Sequence, residues 1–104
     1  MLGLETALAV ALTHLDLPPA EILALLSWRP AAIIGLEDSH GGPLAEGRPA
    51  NLCVIDPSAT WIVEPERLAS RSRNTPYAGM TLTGRVRHTV VGGEAVVIDA
   101  ECQR

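Results

Sequence analysis

The sequence predicts an α/β chain whose elements do not close on one another. Three observations carry this. Leu4, Leu8, Leu12 and Leu15 recur at spacings of three and four, the period of one helical face. From residue 50 onward the pattern changes to short apolar β-prone runs and a Gly-Gly turn. And 104 residues allow one domain, yet three Leu-rich helices followed by about four short strands complete no familiar small fold. The first two helices need burial against something more, so the chain reads as part of a larger object.

The first helix runs along Leu4 to Leu15, with Ala7, Ala9 and Ala11 favouring it from within. Glu5 in its first turn and His14 in its last suit the ends of the helix dipole. Leu17-Pro18-Pro19 must end it, because a residue before proline avoids the α region. Pro19 can open a second helix at its first position. There Ile22, Leu23, Leu25 and Leu26 are nearly continuous, which predicts burial on more than one side. Pro30 interrupts again and can open a short third helix, Ala31 to Ile34, with Gly35 as its C-terminal cap.

Residues 37–49 form a polar connector rich in Gly and Pro. Leu52 to Ile55, ended by Asp56-Pro57, suits a buried strand, with Cys53 as a small buried residue. Thr60 to Val63 is a second β-prone run, and Pro65 can open one helical turn through Leu68. Residues 70–80 show no periodicity and read as a loop, long enough in so small a chain to be functional or packed on something. Arg85 to Val91 and Glu94 to Ile98 flank Gly92-Gly93, the strongest local signal in the chain: a two-residue hairpin.

Composition narrows the function. Hydrophobic residues make up 47%, ordinary for a globular chain, while aromatics are confined to Trp28, Trp61 and Tyr77. The net charge of -4 and the scattered Arg argue against a nucleic-acid partner. No apolar run approaches a membrane span, and the first residues lack the charged start of a signal peptide. With two cysteines in no motif, and nothing demanding that Cys53 and Cys102 pair, the expected location is cytoplasmic. All eight basic residues are Arg, so no Schiff-base, phosphate-loop or carbamylated lysine can come from this chain.

No active site is recognisable. His14, His40 and His88 are isolated, with no His-x-His, His-Glu-x-x-His or Cys-x-x-Cys. Ser70 and Ser72 lack a nucleophile-elbow context. Gly41-Gly42 and Gly92-Gly93 lack phosphate-loop spacing, and the pairs Glu37/Asp38 and Glu64/Glu66 sit in connectors. The sequence therefore yields no catalytic, metal-ligating or substrate-binding residue. The segment to watch is Arg73-Asn74-Thr75-Pro76-Tyr77, with Gly79 after it: packing, with Pro76 fixing the turn and Tyr77 covering a hydrophobic flank, is favoured over contact with an active-site face.

Two patterns carry a resemblance. Arg29-Pro30-Ala31-Ala32-Ile33-Ile34-Gly35-Leu36, followed by Gly47-Arg48-Pro49-Ala50-Asn51-Leu52-Cys53-Val54-Ile55-Asp56, resembles the tail shared across the amidohydrolase superfamily. There an Asn-Pro-Ala helix precedes a Gly-x-x-Ala-Asp strand; here Arg29 stands for the usual Asn and Asn51 for the usual Asp. More specifically, Ser70 to Gly79, Leu82-Thr83-Gly84-Arg85-Val86 and Thr89 to Gly92 are similar to the C-terminus of dihydroorotases. Gly3-Leu4-Glu5-Thr6-Ala7-Leu8 matches the start of the last barrel helix in that family, so the resemblance runs through essentially the whole chain in order. Allantoinases, with a Pro-Tyr-x-Gly and a like closing hairpin, are the nearest rival.

The resemblance implies a C-terminal portion of a metal-dependent (β/α)8 barrel: terminal barrel helices over 1–36, the connector 37–49, and strands of a small β-sandwich over 50–104. It implies Met1 as an internal methionine. It also implies a zinc-dependent hydrolase of cyclic amides in pyrimidine biosynthesis, whose ligands are an early His pair, a carbamylated Lys, two further His and a late Asp. None of these can be matched here, so the chain alone is expected to bind no zinc and to be inactive. The implied partners are the rest of the barrel or a homo-oligomer, with aspartate transcarbamoylase as a further candidate. A non-catalytic dihydroorotase-like partner subunit is the alternative from another class.

Overall fold

The structure is a computed structural model that describes residues 2–103. Helices fill the first third and a four-stranded antiparallel sheet the remainder. Helix α1 spans Ala7–His14 and is closed by Leu15 in an extended conformation. Pro18 and Pro19 enforce the break, and Pro19 then occupies the first turn of the next helix, where its missing N–H leaves no bond unmade.

The two further helices expected from the sequence form one nearly continuous rod: α2 (Pro19–Leu23), a π-helical turn (Ala24–Trp28) and α3 (Arg29–Ile33). A proline inside an α-helix clashes with the carbonyl one turn back. The wider π turn immediately before Arg29-Pro30 takes up that clash, so the helix continues where a break was expected. The rod ends in a Schellman motif, with the Leu36 N–H bonded to the Ala31 carbonyl and the Gly35 N–H to that of Ala32, as the cap at Gly35 predicts. Its burial is narrower than predicted. Ile22, Ala24 and Ala31 are buried, whereas Leu25, Leu26, Trp28 and Ile33 are exposed, because only one side of the rod meets the rest of the chain.

Strand β1 (Leu52–Ile62) joins the two separate runs read from the sequence. Asp56 pairs with Arg85 and Thr60 with Thr83, so Pro57, Ser58 and Ala59 bulge opposite Gly84 alone. A bulge on an edge strand is where a strand tolerates proline. Strand β2 (Thr81–Val91) pairs with β1 and then, through the Gly92-Gly93 turn, with β3 (Glu94–Ile98). Both turn glycines have positive φ, the geometry that a two-residue hairpin of this twist requires. A second tight turn, Asp99-Ala100, likewise at positive φ, returns the chain as β4 (Glu101–Cys102), which sequence patterning misses.

One hydrophobic core holds the elements together: Ala9 from α1, Val63 at the end of β1 and Leu82 near the start of β2 are buried, with Val10, Trp61 and Tyr77 packed against them. Helix α1 crosses β2 at Gly84, where φ is +104° and an added Cβ would lie 2.4 Å from Leu12 Cδ1; only glycine lets the helix come this close. Alongside, Thr13 Oγ1 accepts a hydrogen bond from the Thr83 N–H at 2.9 Å and donates to the Thr83 carbonyl. The Leu stripe of α1 is only half used: Leu8 and Leu12 are half-buried, but Leu4 is 97% exposed.

Strand Leu52–Ile55 and Cys53 were expected to be buried; instead Leu52, Cys53 and Val54 are exposed. No second layer among the described residues covers this end of the sheet. Register places Cys53, Thr89, Val97 and Cys102 in one row across all four strands. Three strand spacings put the thiols about 14 Å apart, far beyond disulfide reach, and both are free.

Candidate functional site

The segment singled out from the sequence folds against the N-terminal approach to α1. Arg73 curls it: the guanidinium donates to the carbonyls of Ser70 and Leu68, the latter at 3.3 Å. The Asn74 N–H bonds Ser72 Oγ at 3.3 Å, and the Thr75 N–H bonds the Arg73 carbonyl at 3.1 Å. Buried Thr75 then accepts the Tyr77 N–H on its hydroxyl at 3.2 Å, a local turn that sets Tyr77 onto the core beside Val63. The Gly79 N–H bonds the Val63 carbonyl and the Val63 N–H bonds the Met80 carbonyl, so the loop ends in register with the sheet. Pro76 is exposed.

Two contacts tie the segment to the residues before α1. The Leu2 N–H donates to the Asn74 carbonyl at 2.8 Å. The Glu5 carboxylate accepts the Ala69 N–H on both oxygens, at 3.0 and 3.1 Å, and the Ser70 N–H at 3.3 Å. Sequence reasoning put Glu5 in the first helical turn as a dipole partner. In the structure it precedes the helix and holds a segment 64 residues away in the chain, a role no local pattern signals.

At the far end of the sheet, Asn51 joins three segments: its Oδ1 accepts the Gly92 N–H at 2.8 Å, its Nδ2 donates to the Ser39 carbonyl at 2.8 Å, and it directly precedes β1. An aspartate carboxylate at this position would have no donor for Ser39. His88 sits by the last turn, accepting the Asp99 N–H on Nδ1 at 3.2 Å, while Arg87 reaches Asp99 Oδ1 at 3.4 Å. His14 closes α1, and His40 Nδ1 lies 2.9 Å from Ser39 Oγ. The three histidines do not converge, and among the described residues no three His, Cys, Asp or Glu side chains group to hold a metal. No described helix is long and apolar enough to cross a membrane.

Around this frame the surface is unusually apolar. Ile33 and Leu44 are each 83% exposed, with Ile34, Ile62 and Trp28 also open to solvent. An open hollow between the start of α1 and the sheet is lined by Leu4, Glu5, Leu8, Trp61, Leu68 and Arg85, with the Arg85 guanidinium 5.1 Å from the Trp61 ring centre.

Known proteins are similar to this chain. The dihydroorotase of Mycobacterium leprae is 48% identical over 103 residues, covering 90% of this chain and 23% of its own length. That of Streptomyces coelicolor is 45% identical over 105 residues, covering 97% and 24%. The solved L-hydantoinase (dihydropyrimidinase) from Arthrobacter aurescens superposes with a TM-score of 0.83 at 28% identity, over 99% of this chain and 24% of that one. The chain thus spans about a quarter of the length of the relatives it matches. The model of the amidohydrolase family itself matches residues 1–97, and with that match the chain belongs to the amidohydrolase family.

Proposed function

We propose that this chain is the C-terminal part of a dihydroorotase, the cyclic amidohydrolase that interconverts N-carbamoyl-aspartate and dihydroorotate. The observation that carries the reading is the 48% identity to the Mycobacterium leprae dihydroorotase over nearly the whole chain. In this reading residues 1–36 are the terminal barrel helices, 37–49 the connector and 50–104 strands of the small β-sandwich. The exposed Ile33, Ile34, Leu44 and Leu4 then face the remainder of the enzyme, which supplies the burial that the helices lack. A hydantoinase-type activity is the second reading, favoured by the fold likeness but at the lower identity of 28%.

The zinc of such an enzyme does not fit these residues. With no Lys in the sequence and three scattered histidines, the described residues offer no ligand set, and in this reading the catalytic chemistry is supplied by the rest of the enzyme. What these residues contribute is scaffold: the core around Leu82 and the Glu5 contact fix α1 against the 69–80 segment. The location is cytoplasmic in this reading, and the assembly is a homo-oligomer or a complex with aspartate transcarbamoylase.

The test is to translate the reading frame upstream of Met1 and assay the longer protein on dihydroorotate, hydantoin and allantoin. Dihydroorotate should be the preferred substrate, and preference for either other amide would replace the reading. The isolated 104-residue chain should neither turn over dihydroorotate nor retain zinc through dialysis; zinc-dependent turnover by it would sink the assignment of the metal centre elsewhere.

A further inference from the structure

We propose that Glu5 is a positioning residue for the hydrolytic reaction: its carboxylate latches the sheet to the loop that enters α1, and so holds a loop of the active face in place. This rests on the reading of α1 as the last barrel helix. In a (β/α)8 barrel the active site is built on the loops that lead from strands into helices. Residues 2–6 run into the N-terminal end of α1 and are, in that reading, the close of the last such loop.

The helix and its approach are fixed by different contacts. The body of α1 is seated on β2, by Gly84 under Leu12 and by the Thr13 hydroxyl at Thr83. The approach is held from the 69–74 segment at both ends of that segment. The Ala69 N–H meets both Glu5 carboxylate oxygens, the Ser70 N–H meets one of them, and the Leu2 N–H donates to the Asn74 carbonyl. Behind these bonds Thr75 is buried, Tyr77 packs on the core, and Gly79 and Met80 bond to Val63 in register with the sheet. A continuous path of contacts therefore runs from the end of β1 through residues 69–80 to Glu5. Hydrogen bonds to an ionised carboxylate are about twice as strong as neutral ones, and the Glu5 carboxylate collects two donors. Every partner lies within this chain, whose fold a solved enzyme of about four times the length shares. A misplacement of about 1 Å can cost an enzyme about a hundredfold in rate, so a latch at the root of an active-face loop tells on turnover more than on stability.

The experiment uses the full-length enzyme, assayed on dihydroorotate well below its unfolding temperature, with the folded fraction read by circular dichroism. Glu5→Ala should lower kcat/KM per folded enzyme about tenfold or more, with a rise in KM, and should speed amide exchange at Ser70. A residue that served stability alone would lower the folded fraction and leave KM and turnover per folded enzyme unchanged. Glu5→Gln, which keeps an acceptor oxygen at the same reach, should recover part of the loss; Glu5→Asp, which keeps the charge and loses the reach, should not. Ala69→Pro removes the facing donor, and Leu68 before it already has the extended ψ of 146° that a following proline favours. Combined with Glu5→Ala, it should cost no more than either change alone. Faster Ser70 exchange with unchanged kinetics per folded enzyme overturns the positioning role, unchanged exchange overturns the latch, and additive losses in the double variant overturn their common path. A wild type inactive on dihydroorotate brings down the functional reading itself, and this proposal with it.

Discussion

The corner where α1 meets the sheet and the rod-and-connector stretch from residue 24 to residue 49 are built from similar residues and end in opposite states. In the corner, Leu82 is fully buried, Gly84 gives way to Leu12, and the 69–80 segment is tied down by Glu5, Thr75 and the Val63 ladder bonds. Along the rod and connector, Leu25, Leu26, Ile33, Ile34 and Leu44 are exposed, and the polar bonds are mostly local, such as Arg48 to the Glu37 carbonyl. Apolar content therefore does not decide where a core forms. Crossing elements at close approach do: Gly41 of the connector also seats against Ala31 and Trp28 of the rod, but in the corner a helix, the sheet and a loop meet on the same side chains, Ala9, Val63 and Leu82.

That contrast can be broken from the corner first. Leu82→Ala should destabilise the protein by about 2–5 kcal/mol, the range for a fully buried leucine, read as a lower urea midpoint; a loss comparable to that of a surface variant would remove the corner's status as the core. Gly84→Ala should cost about 1–3 kcal/mol, since the new methyl meets Leu12 at a backbone φ of +104°. It should be partly rescued by Leu12→Ala, and a double-mutant cycle without coupling would refute the contact. Asn51→Asp should cost about 1–2 kcal/mol by setting a carboxylate against the Ser39 carbonyl, seen as a lower urea midpoint.

The smallest effect belongs to the rod. Ile33→Ser with Ile34→Ser should change the stability of the isolated chain by no more than about 0.5 kcal/mol while raising its monomeric fraction in sedimentation, because those side chains bury little here. In the full-length enzyme the same pair should be destabilising. An equal response in both settings would mean that nothing covers the rod.

Much of the fold is legible in the sequence where the signal is local. Gly92-Gly93 fixes a hairpin by its own φ requirement, Gly35 closes a helix, and Pro18-Pro19 separates α1 from the rod. Readings fail where distant partners decide. Pro30 reads as a break because sequence carries no trace of a π turn ahead of it. Asp56-Pro57 reads as a strand end because the bulge opposite Gly84 exists only in pairing with β2. Leu52 and Cys53 read as buried because an apolar run does not say whether a second layer stands over it. At the candidate site, the loop and its Tyr77 are visible as an aperiodic stretch with a fixed proline turn. The Glu5 anchor is not, since a carboxylate looks the same in sequence whether it meets water or a distant backbone.

The bulge of β1 has a consequence for what can grow on this sheet. β1 is an edge, 11 residues long and apolar at both ends, the kind of strand that invites another chain to add alongside. Pro57 and the step between Asp56 and Thr60 divide it into two short rails that are out of phase. An incoming strand can follow one rail or the other but not both without itself carrying a matching kink. The edge is thereby open to a partner shaped for it and closed to indiscriminate stacking.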